Sequence, residues 1–265
     1  MFSRIFLRGP RNMAPLAALS WMVTIKDLLG IEKVQLDKDP IKNKIKQSMM
    51  HRKYHRNDEA IDVLNEALVE AKATKCEEYI SRVYDELANA YYEMENFEAA
   101  ERLFREVIQR LIRLHGKNEE SPEFIGVSLK LADIFAQKGD LESAEVGLKH
   151  CVSKQMKVME EHQGKLLTGK QGHMVGSAFP VDELGFIYTD PIVLFAMSLE
   201  QYAHFLVDYC GEDRLKEAEE YMDEAVKISY YVYGMHDSQT VPFSMSWASN
   251  VFFEKGMIWR RSILG

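Results

Sequence analysis

The chain has 265 residues, of which 46% are hydrophobic and 28% charged, with seven Pro and 15 Gly. This balance is typical of a chain that buries a core, and it excludes low-complexity and collagen-like proteins. The net charge of −8 is unevenly divided: residues 1–57 hold 12 Lys and Arg against four Asp and Glu, whereas the remaining 208 residues hold 21 against 37. Because an acidic body repels phosphate, this composition disfavours nucleic-acid binding.

The first 40 residues are predicted to be a mitochondrial transit peptide together with a candidate short membrane segment. Arg4, Arg8 and Arg11 follow one another at helical spacing, and the first acid is Asp27. A basic, amphipathic and acid-free start is the signature of a mitochondrial presequence. A secretory signal and an untargeted tail are the alternatives, and the first of these lacks a convincing cleavage site.

Residues 12–25 form an uncharged run of 14 that contains Pro15, Ser20 and Thr24. A membrane-spanning helix needs about 20 apolar residues, so this run is short for a span. A weak anchor, a sorting signal and the end of the presequence remain alternative interpretations.

The three cysteines, Cys76, Cys151 and Cys210, are far apart, and the chain has neither a CxxC pair nor an Asn-x-Ser/Thr acceptor. These features predict reduced core cysteines, no zinc site and no passage through the secretory pathway. His51 and His55 have a metal-ligand spacing, but Arg52, Lys53 and Arg56 surround them. Because these cations would repel a metal ion, the basic stretch 41–56 is interpreted as a solvated helix face.

Three segments of the body share one 34-residue pattern, at 81–114, 125–158 and 199–232. In each, a small or aliphatic residue precedes an alanine by 12 positions: 88 and 100, 132 and 144, 206 and 218. This pattern resembles the tetratricopeptide repeat (TPR), in which two helices form a hairpin and successive hairpins stack. The predicted fold is therefore all-α, a right-handed TPR-type solenoid of helix hairpins with a glycine-rich loop inserted.

The order of the hairpins follows from the same pattern. Residues 41–158 are predicted to hold TPR-like repeats, the first of which is a degenerate hairpin made of 41–55 and 59–72. Residues 191–265 are predicted to hold further repeats, of which the last is incomplete. Asn96, Asp140 and Asp213 are predicted N-caps of second helices.

Between these two parts lies a predicted glycine-rich loop, residues 159–190, which carries five glycines between 164 and 185. Its segment 164–171 differs from a phosphate-binding loop at the last position, where Gln171 replaces the hydroxyl residue that holds magnesium. Because a helix rather than a strand precedes it, nucleotide binding is not expected. With no other catalytic motif in the chain, the sequence predicts a protein that is not an enzyme and that uses no cofactor or metal.

In TPR proteins the concave face is lined by fixed positions of the first helix in each hairpin, and the resemblance implies which residues these are. They give the candidate peptide-binding residues Arg82, Asp85, Asn89, Tyr92, Glu93, Asp133 and Gln137, with Leu129 and Ala136 beside them. Chaperone-binding TPR domains grip a terminal carboxylate with Lys and Asn. Asn89 matches, but Asp85 stands where a Lys is wanted. A basic or polar extended peptide is therefore expected.

The runs 84–91, 99–104 and 127–134 resemble the family of mitochondrial tetratricopeptide repeat protein nineteen, well over 41–158 and more weakly over 190–256. The resemblance implies an adaptor associated with the mitochondrial inner membrane that supports respiratory complex III. Its implied partners are complex III subunits, including the Rieske protein, whose leftover N-terminal fragments such adaptors help to clear. A cytosolic TPR scaffold that binds a segment of a motor or signalling complex is the alternative.

Overall fold

The structure is a computed structural model and describes residues 37–168 and 191–233. Within these ranges the chain forms eight α-helices and one short 3-10 turn, and it contains no strand. The helices fall in one compact unit, Leu36–Val232. They are α1 Pro40–Lys53, α2 Asn57–Thr74, α3 Glu77–Glu93, α4 Phe97–Arg113, α5 Pro122–Lys138, α6 Leu141–Thr168, α7 Pro191–Tyr209 and α8 Leu215–Tyr233, with the 3-10 turn Glu212–Arg214 before α8.

The helices pair as four consecutive hairpins, each made of a first helix (α1, α3, α5 or α7) and a second helix (α2, α4, α6 or α8). From α1 to α7 each helix packs against the next one along the chain, and α5 also contacts α7. In the fourth hairpin Tyr202 of α7 packs against Tyr221 of α8, with ring centroids 4.9 Å apart. The predicted all-α tetratricopeptide fold is thereby confirmed.

Small buried residues lie where the two helices of each hairpin meet. Ala88 and Ala100 are fully buried, as are the equivalent pairs in the next two predicted hairpins. The same spacing of 12 joins Ser48 to Ala60 in the first hairpin, and both residues are fully buried. Ser48 tolerates this position because its hydroxyl donates to the carbonyl of Ile45 at 2.8 Å. Because this residue is polar, a pattern based on apolar residues showed the first hairpin only as a degenerate one.

Capping side chains fix where the second helices begin. The Asn96 side chain accepts a hydrogen bond from the backbone N–H of Ala99 at 3.2 Å, and Asp140 accepts one from Ser143 at 3.1 Å. These two predicted caps are confirmed, since a side-chain oxygen satisfies a free N–H of the first turn. Asp213 instead lies inside the 3-10 turn that precedes α8.

The apolar core is continuous through α3, which contributes to two neighbouring clusters. The first cluster joins α1, α2 and α3 through residues such as Ile41, Leu64 and Val83. The second joins α3, α4 and α5 around the fully buried Phe104. Tyr84 packs against both clusters, so α3 links the two parts of the core.

Helix α6 is longer than the sequence predicts. It continues to Thr168, whereas the loop was expected to begin at 159. A glycine inside a helix costs about 1 kcal/mol, and Gly164 is followed by Lys165 and Leu166, which favour helix. The first part of the segment that resembles a phosphate-binding loop is therefore helical, up to Thr168.

Several predictions concern residues outside the described ranges. They are the transit peptide and the uncharged run at 12–25, the rest of the glycine-rich loop at 169–190, and the incomplete final repeat beyond 233. Within residues 37–168 and 191–233, no helix is long and apolar enough to cross a bilayer.

The last two hairpins are joined by a polar cluster centred on Arg214. Its guanidinium donates to Glu145 of α6 at 2.6 Å, to the Tyr202 hydroxyl of α7 at 2.9 Å and to Glu217 of α8 at 2.8 Å. Lys149 also contacts Glu145, at 2.8 Å. Burial on its own would raise the pKa of Glu145, but the hydrogen bonds from Lys149, Arg214 and Tyr202 lower it to about 2.

The lowered pKa of Glu145 predicts a pH-dependent contribution to folding. A carboxyl whose pKa is depressed on folding stabilises the fold above its unfolded value, near 4.5, and this stabilisation is lost as the pH falls towards 2. We expect Glu145→Gln to lower the free energy of unfolding by about 1–2 kcal/mol at pH 7, and the difference from wild type to shrink between pH 5 and pH 3. Urea unfolding followed by circular dichroism measures it. Glu142→Gln, on an exposed side chain of the same helix, should behave as wild type at every pH.

Gly147 of α6 sits where α5 approaches most closely. A Cβ placed on Gly147 would lie 3.3 Å from the Cβ of Ala132, whereas a Cβ placed on Gly126 of α5 would meet nothing within 4 Å. We expect Gly147→Leu to lower the free energy of unfolding by about 1–3 kcal/mol through overpacking. Gly126→Leu should be neutral or stabilising by up to about 1 kcal/mol, because leucine favours helix more than glycine does. Equal melting temperatures for the two variants would contradict this account of the hairpin contact.

Candidate functional site

The predicted site residues lie on α3 and α5, the first helices of the second and third hairpins. We call the surface around Asp85, Glu93 and Asp133, together with its contacts to α1, the first-helix face. The structure brings the residues of α3 close to those of α5, with Tyr92 reaching Asp133 across the gap. It buries Arg82 and Asp85, which are 6% and 7% exposed. A peptide-binding role for these residues stays a prediction.

A buried ion network lies where α1 meets α3. Arg52 Nη1 of α1 is 2.8 Å from Glu86 Oε2, and its Nε is 3.4 Å from Glu93 Oε2. Arg82 Nη2 contacts the other oxygen of Glu86 at 2.6 Å, and Arg82 Nη1 lies 3.7 Å from Asp85 Oδ2. Glu86 is only 2% exposed. A buried carboxylate needs compensating charge, and these two arginines supply it.

Polar side chains join α3 to α5 further along the same face. Lys130 Nζ donates to Asn89 Oδ1 at 2.5 Å, and the Tyr92 hydroxyl donates to Asp133 Oδ2 at 2.5 Å. Gln137 donates to the other oxygen of Asp133 at 3.5 Å. Burial and the nearby Asp133 charge raise the pKa of Tyr92, so its phenol remains a hydrogen-bond donor at neutral pH.

Glu93 is the partly accessible acid of this face, with 22% of its side chain exposed. Burial raises its pKa, and the charge of Glu86 raises it further, while Arg52 and Lys130 oppose both effects. The two neighbouring cations therefore do not fully offset the effects of burial and of Glu86 on the ionised carboxylate of Glu93.

The remaining predicted positions are filled by neighbouring helices. Leu129 and Ala136 are buried, at 3% and 4% exposure. The side-chain amide of Gln201 on α7 donates to the backbone carbonyl of Leu129 at 3.1 Å. The third hairpin therefore contributes polar groups to the face through Lys130, Asp133 and Gln137, because α7 packs against the rest of α5.

Three residues of the site were missed by the sequence pattern: Arg52, Glu86 and Lys130. Arg52 could have been found from the repeat register. If Ser48 is aligned with Ala88 as the small residue of its hairpin, Arg52 aligns with Tyr92, which is one of the predicted site positions. The expectation of a solvated basic face was wrong for Arg52 and His51, whose side chains are 15% and 13% exposed. His51 Nδ1 lies 3.0 Å from Glu59, and so contacts α2 rather than solvent.

The thiol nearest to a histidine in sequence is not activated. Cys151 is fully buried, and burial raises its pKa to about 12. A thiol with this pKa stays protonated at neutral pH and is a poor nucleophile. In the described parts of the chain, no group of three or more His, Cys, Asp or Glu side chains is arranged to hold a metal ion.

Glu86 is expected to be a stability determinant of the face. We predict that Glu86→Ala lowers the free energy of unfolding by about 3–5 kcal/mol, because it leaves Arg52 and Arg82 as buried charges without their shared partner. Glu98→Ala on α4 is the control, since this side chain is 80% exposed and its ion pair with Lys138 is 3.9 Å long. An exposed pair of this kind contributes about 0–1 kcal/mol. Both variants are measured by urea denaturation. Equal shifts of the two unfolding midpoints relative to wild type would contradict the prediction.

Comparison with known proteins agrees with the hairpin architecture. A tetratricopeptide repeat family model matches residues 81–123, which span α3, α4 and the beginning of α5. Among solved structures, BtubC (BKLC) from P. vanneervenii has a TM-score of 0.53 at 16% identity, covering 80% of this chain and 73% of that one. The TPR-like repeats of a putative kinesin light chain from Podosopora anserina have a TM-score of 0.54 at 16% identity, covering 86% and 93%. At these identities the likeness shows the fold.

Curated relatives carry the resemblance to a named family. The chain is 31% identical over 130 residues to the mitochondrial tetratricopeptide repeat protein 19 homolog of Drosophila melanogaster, covering 49% of this chain and 35% of the relative. It is 24% identical to mitochondrial tetratricopeptide repeat protein 19 of Rattus norvegicus and of Homo sapiens, covering 88% of this chain and 60% of each relative. The resemblance inferred from the sequence is confirmed. The chain spans between about one third and three fifths of the length of these relatives.

Proposed function

We propose that this chain is a non-catalytic adaptor that works in mitochondria and holds a segment of a partner protein against its first-helix face. The observation that supports this most directly is the face itself. Between α3 and α5, the polar contacts from Lys130 to Asn89 and from Tyr92 to Asp133 lie beside the apolar cluster to which both helices contribute. Such a polar surface on stacked hairpins suits recognition of an extended chain. The mitochondrial naming of the relatives supports the compartment.

We further propose that the adaptor associates with the inner membrane and supports the assembly or integrity of respiratory complex III, aiding clearance of N-terminal fragments of the Rieske subunit. This part rests on the resemblance to tetratricopeptide repeat protein 19. The basic, acid-free beginning of the sequence is compatible with import, because a membrane potential that is negative inside draws such a segment inward.

Localisation is the first test of the proposal. We expect residues 1–40 fused to a reporter to direct it into isolated mitochondria only when the membrane potential is intact. The matched control carries Arg4→Gln, Arg8→Gln and Arg11→Gln, which removes the positive stripe and should abolish import. A cytosolic reporter in cells would overturn the mitochondrial assignment and favour the cytosolic scaffold.

Co-purification is the second test. The tagged full-length chain should retain complex III subunits, and the Rieske protein in particular, after gentle solubilisation of mitochondria. Cells lacking the chain should accumulate Rieske N-terminal fragments, detected by mass spectrometry, and re-expression should remove them. Unchanged fragment levels in such cells would overturn the complex III part of the proposal while leaving the compartment intact.

A further inference from the structure

We infer that the first-helix face binds a protein segment rich in Lys or Arg side chains, with Asp85, Glu93 and Asp133 as the carboxylates that receive them. This inference rests on the proposed function, because it names the chemistry of the segment that the adaptor holds. The supporting observations are the balance of charges on this face and one buried hydrogen-bond acceptor, Oδ1 of Asp85.

Among the described residues, carboxylates outnumber Lys and Arg side chains on the first-helix face. Each of the three cations already has a partner: Arg52 pairs with Glu86 and Glu93, and Arg82 pairs with Glu86. Lys130 donates to Asn89 and lies over the ring of Phe104 at 5.4 Å. The charged residues are the cations Arg52, Arg82 and Lys130 and the acids Asp85, Glu86, Glu93 and Asp133.

Asp133 is oriented towards α3 by groups that leave its charge in place. Its two oxygens accept hydrogen bonds from the Tyr92 hydroxyl and the Gln137 amide. Both donors are neutral, so they position the carboxylate without cancelling its negative charge. A carboxylate held in this way attracts a cation from a bound segment and pairs with it through charge-assisted hydrogen bonds.

Asp85 supplies a second, independent indication of a ligand. The residue is 7% exposed, and its Oδ1 is a buried atom that has no hydrogen-bond partner among the described residues. Its other oxygen lies 3.7 Å from Arg82, beyond hydrogen-bond distance. A buried acceptor without a donor is costly, and an N–H group from a bound Lys, Arg or backbone amide would satisfy it.

Glu93 points to the same chemistry. Burial and the charge of Glu86 work against its ionised form, and 22% of its side chain remains accessible. An added cation would stabilise the ionised form, whereas an acidic segment would meet repulsion from all three carboxylates. The face therefore selects a basic segment over an acidic one.

Peptide binding to the full chain tests this selection. The probe is a dye-labelled 16-residue peptide in which Lys and Arg alternate with Ala and Ser, and its matched control has Glu at every basic position. We expect fluorescence anisotropy at 50 mM salt to give at least tenfold tighter binding of the basic peptide, weakening several-fold at 200 mM salt because of screening. Equal affinity for the two peptides, or absence of binding, would overturn the inference.

Two pairs of substitutions test whether the basic peptide binds at the first-helix face. The pair Glu93→Gln and Asp133→Asn should weaken binding of the basic peptide about tenfold. The control pair Glu98→Gln and Glu142→Gln removes the same formal charge from exposed positions on second helices and should change affinity less than twofold. If both pairs weaken binding equally, attraction to the net charge explains the result and the inference fails. Circular dichroism checks that each variant is folded. The single variant Glu93→Gln, whose ion pair with Arg52 is 3.4 Å long, should by itself weaken binding of the basic peptide.

The two proposals fail in distinguishable ways. If the chain binds the basic peptide through Glu93 and Asp133 but does not retain complex III subunits, the proposed function is wrong and the inference stands. If complex III subunits are retained and the basic peptide does not bind, the inference is wrong and the proposed function stands.

Discussion

The close approach of two helices inside each hairpin is the constraint on which the rest of the structure depends. In three hairpins it places a small residue on the first helix and an alanine 12 positions later, as in Ala88 with Ala100 and Ala132 with Ala144, all of which are buried. In the fourth hairpin Leu206 takes the first position. Gly147 lies so close to Ala132 that an added Cβ would be 3.3 Å away. Once the backbones are this close, the larger apolar side chains are directed towards the next hairpin, and stacking of hairpins buries them.

This constraint explains why the fold could be predicted from the sequence and where the prediction stopped. Two helices in contact leave a fixed spacing in the chain, so three hairpins were visible as a repeated pattern. The first hairpin obeys the same spacing through Ser48, but a hydroxyl satisfied by its own helix does not look like a core residue. The extent of α6 was missed for another reason: five glycines suggested a loop, while the residues after Gly164 continue the helix.

The sequence predicted which helices carry the candidate site residues, but it did not predict which side chains surround them. The repeat register places Asp85, Tyr92 and Asp133 on first helices, and the structure finds them there. The register does not tell which cation reaches which acid, because those contacts join residues far apart in sequence. Arg52 and Glu86 are separated by 34 positions, and Lys130 and Asn89 by 41. Arg82 is buried beside Glu86, whose other partner, Arg52, comes from α1, and the spacing of first-helix residues does not show this neighbour.

The unequal division of charge along the sequence acquires a physical meaning from these contacts. Part of the basic charge of the first hairpin is used internally: Lys44 of α1 pairs with Glu66 and Glu70 of α2 at 2.6 and 3.1 Å, and Arg52 is committed to α3. The pair of Arg52 with Glu86 is buried, and a buried ion pair is weak evidence for net stability. This positive charge of the first hairpin therefore does not neutralise the later hairpins as a whole. It holds α1 in place against α2 and α3. The hydrogen-bond donors of Asp133 are neutral, so these two contacts do not balance the charge of its carboxylate.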